Sequence, residues 1–549
     1  MTRILFTITL YIITFAAAQA KDSYDMSTTL SLDEVGINKV LCMENGNTML
    51  FHFQIGKPIK VMVFDSTHKR IASTQAQCRE LDLFMLTTSL FKGLYEIGGE
   101  AVVFFEQQNL GKHSLIRMRF NGNIGKLVEE RIVGRSKSLA KPTRFYVMKQ
   151  RSEAGYKILY SQDVMQFREC NVHVAYYNAR HEQYRDVPLH FDRKSYDYMT
   201  VVGAESHGDG VCVTLALSNM VMNGTRSNSM AITNPIYNHY LQVFYIHADS
   251  TRPIQRNIDL ASNIIPYYTH YSHNRFAGTI NLMLLSYSDA LYRFGLEMRP
   301  TAMLADLFLT FDPENLDGRY TWVTNKLANE MLMEKTDTAQ HFRGFPIRMY
   351  TNNNGLSTII SESYDRNFTS ESFSRNRVME TYLGNICITQ VNDEGKEIWG
   401  TVLPKAQYFK SYRHYYDPAS LAKRWQQHAM FDDMPRQVYE RQFMSGNTYN
   451  NGSDIYIIFN DGSKNFSKQI DEQLDTVFLS ALSNACYYKL DKKRNLTKKF
   501  LFGEPMKKEY KSSFIEGADY DEKRNTYVSV IRYKRSDYVS LRLAWATLD

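Results

Sequence analysis

After its first twenty residues the chain lacks any apolar run long enough to cross a bilayer as a helix. It lacks a Cys-x-x-Cys pair, which removes the common structural zinc and redox motifs. It has no Gly-x-Ser-x-Gly elbow, no glycine-rich phosphate loop and no Asp-x-Asp-x-Asp-Gly calcium loop. These absences exclude the readily recognised enzyme classes and imply no cofactor or metal. The six cysteines, Cys42, Cys78, Cys170, Cys212, Cys387 and Cys486, are far apart and irregularly spaced. Cys212 and Cys387 lie in apolar strand patterns, where a thiol acts as a small hydrophobe. The spacings allow one disulfide without naming its partners. Charge of either sign is also in short excess. Lys and Arg number 65 against 58 Asp and Glu, a net +7, and no concentrated basic face points to nucleic acid. The basic run Lys492-Lys493-Arg494 reads as a solvated turn.

What is present begins with a secretory signal. Arg3 is followed by an apolar stretch from Ile4 to Phe15 and by Ala16-Ala17-Ala18-Gln19-Ala20, a small-x-small cleavage site. Cleavage after Ala20 removes Arg3 alone among charged residues, so the mature chain carries 7 − 1 = +6. The cleavage point has no cysteine for a lipid anchor. The expected mature protein, residues 21–549, is soluble and exported, to a periplasmic, cell-surface or extracellular destination. Export permits disulfides.

From residue 35 onward, short β-patterned runs alternate with turn chemistry. Thr48 to Phe53 and Ile59 to Phe64 flank Gly56-Lys57-Pro58, and Asp65 to Lys69 turns the chain again. His113 to Phe120 ends at Asn121-Gly122, a strong hairpin signal. The clearest unit is Asn385 to Val391, the turn Asn392-Asp393-Glu394-Gly395-Lys396, and Glu397 to Leu403 stopped by Pro404. The 37 Tyr fit half-buried pleated surfaces, and they also suit aromatic recognition. About eight partial groups, roughly 40 to 60 residues each, have the period of propeller blades, which bury their faces by stacking on neighbours. The last three strands lack a fourth, and Thr28 to Leu32 is a spare strand at the other terminus. The pattern therefore predicts an all-β propeller of seven blades, with eight next and a multi-sheet β-sandwich as the competing fold. The N- and C-terminal strands are expected to close the ring. Helical insertions are expected over Thr324 to Arg343 and Leu421 to Met430.

One stretch also resembles a family. Gly355 to Tyr364, Gly384-Asn385-Ile386, Asp393 to Trp399, Leu403 to Gln407 and Phe459 to Asn465 resemble an uncharacterised group of exported bacterial proteins predicted to form β-propellers. The likeness spans roughly residues 300–500. It implies an exported propeller and no particular activity.

Candidate ligand-binding residues are Glu362, Trp399, Lys405, Gln407, Asn460 and Asp461. They stand at strand ends in the best-patterned region, where Lys405-Gln407 and Asn460-Asp461 could share one rim of the ring. The competing reading makes Asn460 and Asp461 turn-closing residues and Trp399 a blade-packing residue. His270-x-x-His273 has ligand spacing but lacks a third ligand. Ser206-His207-Gly208-Asp209-Gly210 reads as a hairpin turn. Glycoside hydrolysis needs two acids about 5–10 Å apart, and Glu362, Asp393, Glu397 and Asp461 are loose candidates. The sequence thus predicts an exported, monomeric, non-catalytic propeller that binds a protein or glycan at the cell envelope. The alternative is a glycoside hydrolase or polysaccharide lyase on the same scaffold.

Overall fold

The computed structural model describes residues 24–33, 35–109, 112–136, 143–162, 164–165, 171–190, 198–207, 210–221, 236–260, 264–274, 277–288, 303–336, 342, 344–370, 377–411, 428–429, 441–478 and 482–549. Their strands form eight sheets, antiparallel except where Val477–Phe478 pairs parallel with Gln407–Tyr408 of blade 6, and taken in chain order apart from that strand, Val164–Met165 in blade 4 and His428–Ala429 in blade 2. Blade 1 spans residues 37–76, blade 2 90–135, blade 3 143–188, blade 4 198–259 and blade 5 264–323. Blade 6 spans 344–411, blade 7 446–500, and blade 8 509–547 with a strand from the N-terminus. The expected all-β propeller is therefore present, with eight blades in place of the seven favoured from sequence. Unequal hairpins blurred the count. The Ser357–Ser370 and Arg377–Val391 strands of blade 6 are more than twice the length of their blade 1 counterparts, Thr48–Phe53 and Ile59–Phe64.

Closure uses both termini. Tyr24–Met26 pairs antiparallel with Ala544–Ala546 and supplies the outer strand of blade 8. The strand lies before Thr28 to Leu32, although Ser27 N and Leu30 N still donate to Leu543 O and Leu541 O at 2.8 Å.

The blades fold where alternating or continuous apolar runs meet turn residues. Ile37–Cys42 is buried throughout, as a strand covered on both faces must be. The outer strand Arg70–Ala76 is exposed along most of its length. The apolar side chains gather between blades. Phe51, Phe53 and Val61 of blade 1 meet Phe91, Phe105 and Phe120 of blade 2 in one cluster. Further clusters join blade 2 to 3, 3 to 4, 4 to 5 and 7 to 8. A single blade therefore has no core of its own.

A recurrent turn adds a second connection. In blades 1, 3, 6 and 7 the outer hairpin is a five-residue loop opened by Asp65, Asn178, Asn392 or Asp491. Each opening side chain accepts from the backbone N–H groups two and four residues later. The fourth position is left-handed: His68, His181, Gly395 and Arg494 have φ of 65°, 65°, 77° and 68°. Each of these residues faces the preceding blade. His68 stacks on Trp545 at 4.2 Å and pairs with Asp25 at 2.8 Å, both in blade 8. His181 lies 3.7 Å from Glu100 of blade 2. Arg494 donates to Gln390 of blade 6 at 2.9 Å. At Gly395 the approach is so close that a Cβ would fall 2.1 Å from Thr321 of blade 5.

The first expected helix is present as Lys326–Thr336, between blades 5 and 6. Ala328 and Leu332 pack on Cys387 and Val402. Glu397 accepts from Thr324 N at 3.0 Å and Leu327 N at 3.1 Å, capping the helix start from another strand. The second, Leu421 to Met430, lies outside the described residues apart from His428–Ala429. Those two form a strand on Leu90–Phe91 of blade 2, not a helix. Cys42, Cys78, Cys212, Cys387 and Cys486 form no disulfide among the described residues, and Cys170 lies outside them.

Buried ionisable groups make stability depend on pH. Burial lowers the pKa of His207 and His270 to about 3, and of His52 to about 4. Burial pushes the Glu106 carboxyl up, but Lys92, His113 and Arg144 outweigh it and hold it at about 2. The unfolded chain binds more protons than the folded one wherever pH lies between these values and the ordinary ones. Histidine-linked stability is thus lost as pH falls from about 6.5 toward 3, and Glu106-linked stability as it falls from about 4.5 toward 2. The thermal midpoint at pH 4 is expected to lie roughly 10 °C below that at pH 7.5, read by circular dichroism. A flat profile would contradict neutral buried histidines.

Candidate functional site

The structure brings five of the six sequence-predicted site residues into one seam between blades 6 and 7. Glu362 stands in the second strand of blade 6, and Lys405 follows Pro404 where the outer edge of that blade breaks. The blade's long strand Arg377–Val391 pairs with Glu397–Leu403 along one half and Gln407–Ser411 along the other. Lys405 sits at the junction, and its ammonium pairs with Glu362. Ser445 Oγ donates to the other Glu362 oxygen at 2.6 Å. Gln407 Nε2 donates to Asn460 O at 2.8 Å, and Gln407 Oε1 accepts from Ser445 N at 2.8 Å. Asn460 extends the chain to blade 8, donating to Ser513 O and accepting from Ser513 N. Asp461 pairs with Lys498 at 2.8 Å and accepts from Asn465.

Glu362, Lys405, Gln407, Asn460 and Asp461 are each at most 4% exposed. Their hydrogen-bonding groups link blades 6, 7 and 8. Trp399 is half-buried beneath the Arg494 guanidinium, whose carbon is 6.0 Å from the ring. The other loose acids are spread out: Glu397 caps the helix, while Asp393 is exposed in its turn. His207 pairs with Gly210 at the ends of two adjacent strands, as the hairpin reading requires, and residues 208–209 lie outside the described residues. Among the described residues, no three His, Cys, Asp or Glu side chains gather to hold a metal.

An open recess lies next to this seam. A cleft of about 340 Å³ separates blades 6 and 7 on the side of their hairpin turns. Its walls carry Asn352, Asn353 and Asn354 from one turn, Asn450 and Ser453 from a second, and Lys492, Lys493 and Arg494 from a third. A second cleft of about 300 Å³ lies beside the inner strands and carries Arg151, Arg348, Tyr449 and Tyr520. Tyr350 and Asn450 line both, so the two clefts adjoin along the boundary of blades 6 and 7 and together make up the groove considered below. Tyr350 Oη donates to Thr448 O at 2.6 Å and ties the groove floor across the blade boundary.

Acids lining the groove are largely engaged. Asp519 accepts from Cys42 N at 2.7 Å and pairs with Arg151 at 2.8 Å. Asp491 accepts from Lys493 N, Asn495 N and Asn495 Nδ2 within its own turn. Glu522 is exposed at the rim. Lys492 and Lys493 are exposed and form no ion pair among the described residues. Sequence reading singled out this basic turn as solvated and missed that it faces Asn352–Asn354. Those turns are separated by 140 residues and meet only through blade packing.

The seam predicts a coupled stability effect. Lys405→Met leaves the Glu362 carboxylate buried without its cation and is expected to destabilise by about 3–5 kcal/mol. Adding Glu362→Gln removes the stranded charge and is expected to restore over half of that loss. Denaturant unfolding of the two single variants and the double variant measures the coupling. Additive losses would show that the pair does not act as a unit.

No family model matches this chain, and no curated protein matches it. Solved structures that are similar include the WD40 domain of SCAP from fission yeast, at 9% identity, 96% of this chain, 98% of that one and a TM-score of 0.33. A protein from Lactobacillus plantarum is similar at 8% identity over 84% of this chain and 96% of its own, with a TM-score of 0.35. Prolyl oligopeptidase B from Galerina marginata is similar at 7% identity over 94% of this chain but 55% of its own length, with a TM-score of 0.38. At such identities and scores, nothing of their activities passes to this chain.

Proposed function

We propose that this protein is an exported β-propeller that binds a protein or glycan partner at the cell envelope without transforming it. The observation that carries this reading is the groove between blades 6 and 7. Its walls present amides, hydroxyls and cations, while Asp519 and Asp491 are engaged in structural hydrogen bonds. Hydrolysis of a glycosidic bond needs a pair of available carboxyl groups across the scissile bond. Binding needs donors and acceptors held in fixed positions by rigid strands. The groove's side chains stand on turns whose backbone is locked by Asn352, Asn450 and Asp491. The secretory signal at residues 1–20 and the resemblance to exported bacterial propellers support the location.

The mature protein, residues 21–549, is expected to co-sediment with isolated envelope material. Ser453→Trp fills the groove from an exposed turn and is expected to weaken that association at least about tenfold, without moving the thermal midpoint. Cleavage of an envelope polysaccharide by the purified protein, or undiminished association of the Ser453→Trp variant, would refute the reading.

A further inference from the structure

We infer that the ligand of this groove is an acidic polysaccharide, its carboxylates read by Lys492, Lys493 and Arg494; this rests on the binding role proposed above. The three cations occupy one five-residue turn, and the turn places them differently. Arg494 is at the left-handed position, with φ of 68°. Its Nε donates to Gln390 Oε1 at 2.9 Å, and its guanidinium lies over Trp399. Those contacts fix the plane of the guanidinium on the groove wall, and its two Nη atoms make no hydrogen bond among the described residues. A guanidinium held in this way presents a rigid fork that matches a carboxylate. Lys492 and Lys493 are exposed beside it and supply charge that forms no ion pair among the described residues. The nearby Asp454 is paired with Lys489 at 3.1 Å, and Asp491 is bound into the turn.

The facing wall explains why the anion should be a sugar acid. Asn353 and Asn354 are exposed on the opposite turn, and Asn450 and Ser453 follow. Amide and hydroxyl side chains both donate and accept, as sugar hydroxyls do, whereas a site for bare phosphate requires donors alone. The second cleft adjoins the first at Tyr350 on the side of the inner strands, so the polar surface is longer than a single small ion needs and suits a polymer.

The test uses the mature protein with polygalacturonate, alginate and hyaluronate oligomers, and with methyl-esterified polygalacturonate as the uncharged control. Titration calorimetry is expected to show binding to at least one acidic polymer and at least about tenfold weaker binding to the ester. Affinity is expected to fall as salt rises, because exposed charges are screened within roughly 10 Å at about 0.1 M ionic strength. Lys492→Ser with Lys493→Ser is expected to lose about tenfold in affinity at an unchanged thermal midpoint. Equal affinity for acid and ester, unchanged binding by the double variant, or binding to none of the acidic polymers would overturn the inference. Envelope association that Ser453→Trp still weakens would in those cases leave the binding role standing.

Discussion

Each blade is a thin sheet whose two faces must both be covered, and only a closed ring covers all of them. That constraint governs the rest of the structure. Blade 8 takes four strands from the C-terminal segment, Glu509–Ser513, Asp519–Asp521, Thr526–Arg535 and Tyr538–Thr547, and a fifth, Tyr24–Met26, from the N-terminus. The pairing converts the exposed edge of Tyr538–Thr547 into an interior one. It also sets His68 of blade 1 between Asp25 and Trp545, so closure of the sheet and contact with the next blade are made by the same residues.

Apolar packing between blades is non-directional and tolerates sliding. Buried polar groups fix the register. Glu106 gathers Lys92, His113 and Arg144 at the boundary of blades 2 and 3. Glu362, Lys405 and Ser445 do the same between blades 6 and 7, and Lys39 reaches Glu516 between blades 1 and 8. A buried charge with one partner removed is far more costly than either a complete pair or an apolar replacement. Such sites therefore penalise misaligned blades more than they add net stability. The same rigidity holds the turns that line the groove, so a surface recess acquires fixed side chains.

Much of the fold was legible because strands and turns are local. Glu397–Leu403 and the hairpin at Asn121-Gly122 follow directly from alternation and turn chemistry. The repeated Asp or Asn opening of the outer hairpin is also visible as sequence. Its fourth residue is less readable, since Gly395, His68 and Arg494 share one left-handed conformation but meet different neighbours. The predicted site residues show the limit of strand-end reasoning. Asn460 and Asp461 do end a strand and Lys405 sits in the break between two, but these positions are buried instead of facing solvent.

The sequence by itself determined the β architecture, the insertion at Lys326–Thr336 and the sharing of a blade by both termini. Hydrophobic alternation, helix spacing and missing strands are properties of short segments. Tertiary structure decided the number of blades, the burial of the Glu362–Lys405 pair and the meeting of Asn352–Asn354 with Lys492–Arg494. Those outcomes depend on which side chains of distant blades face one another. That is set by the angle at which eight sheets pack around a common axis, a quantity no single segment encodes.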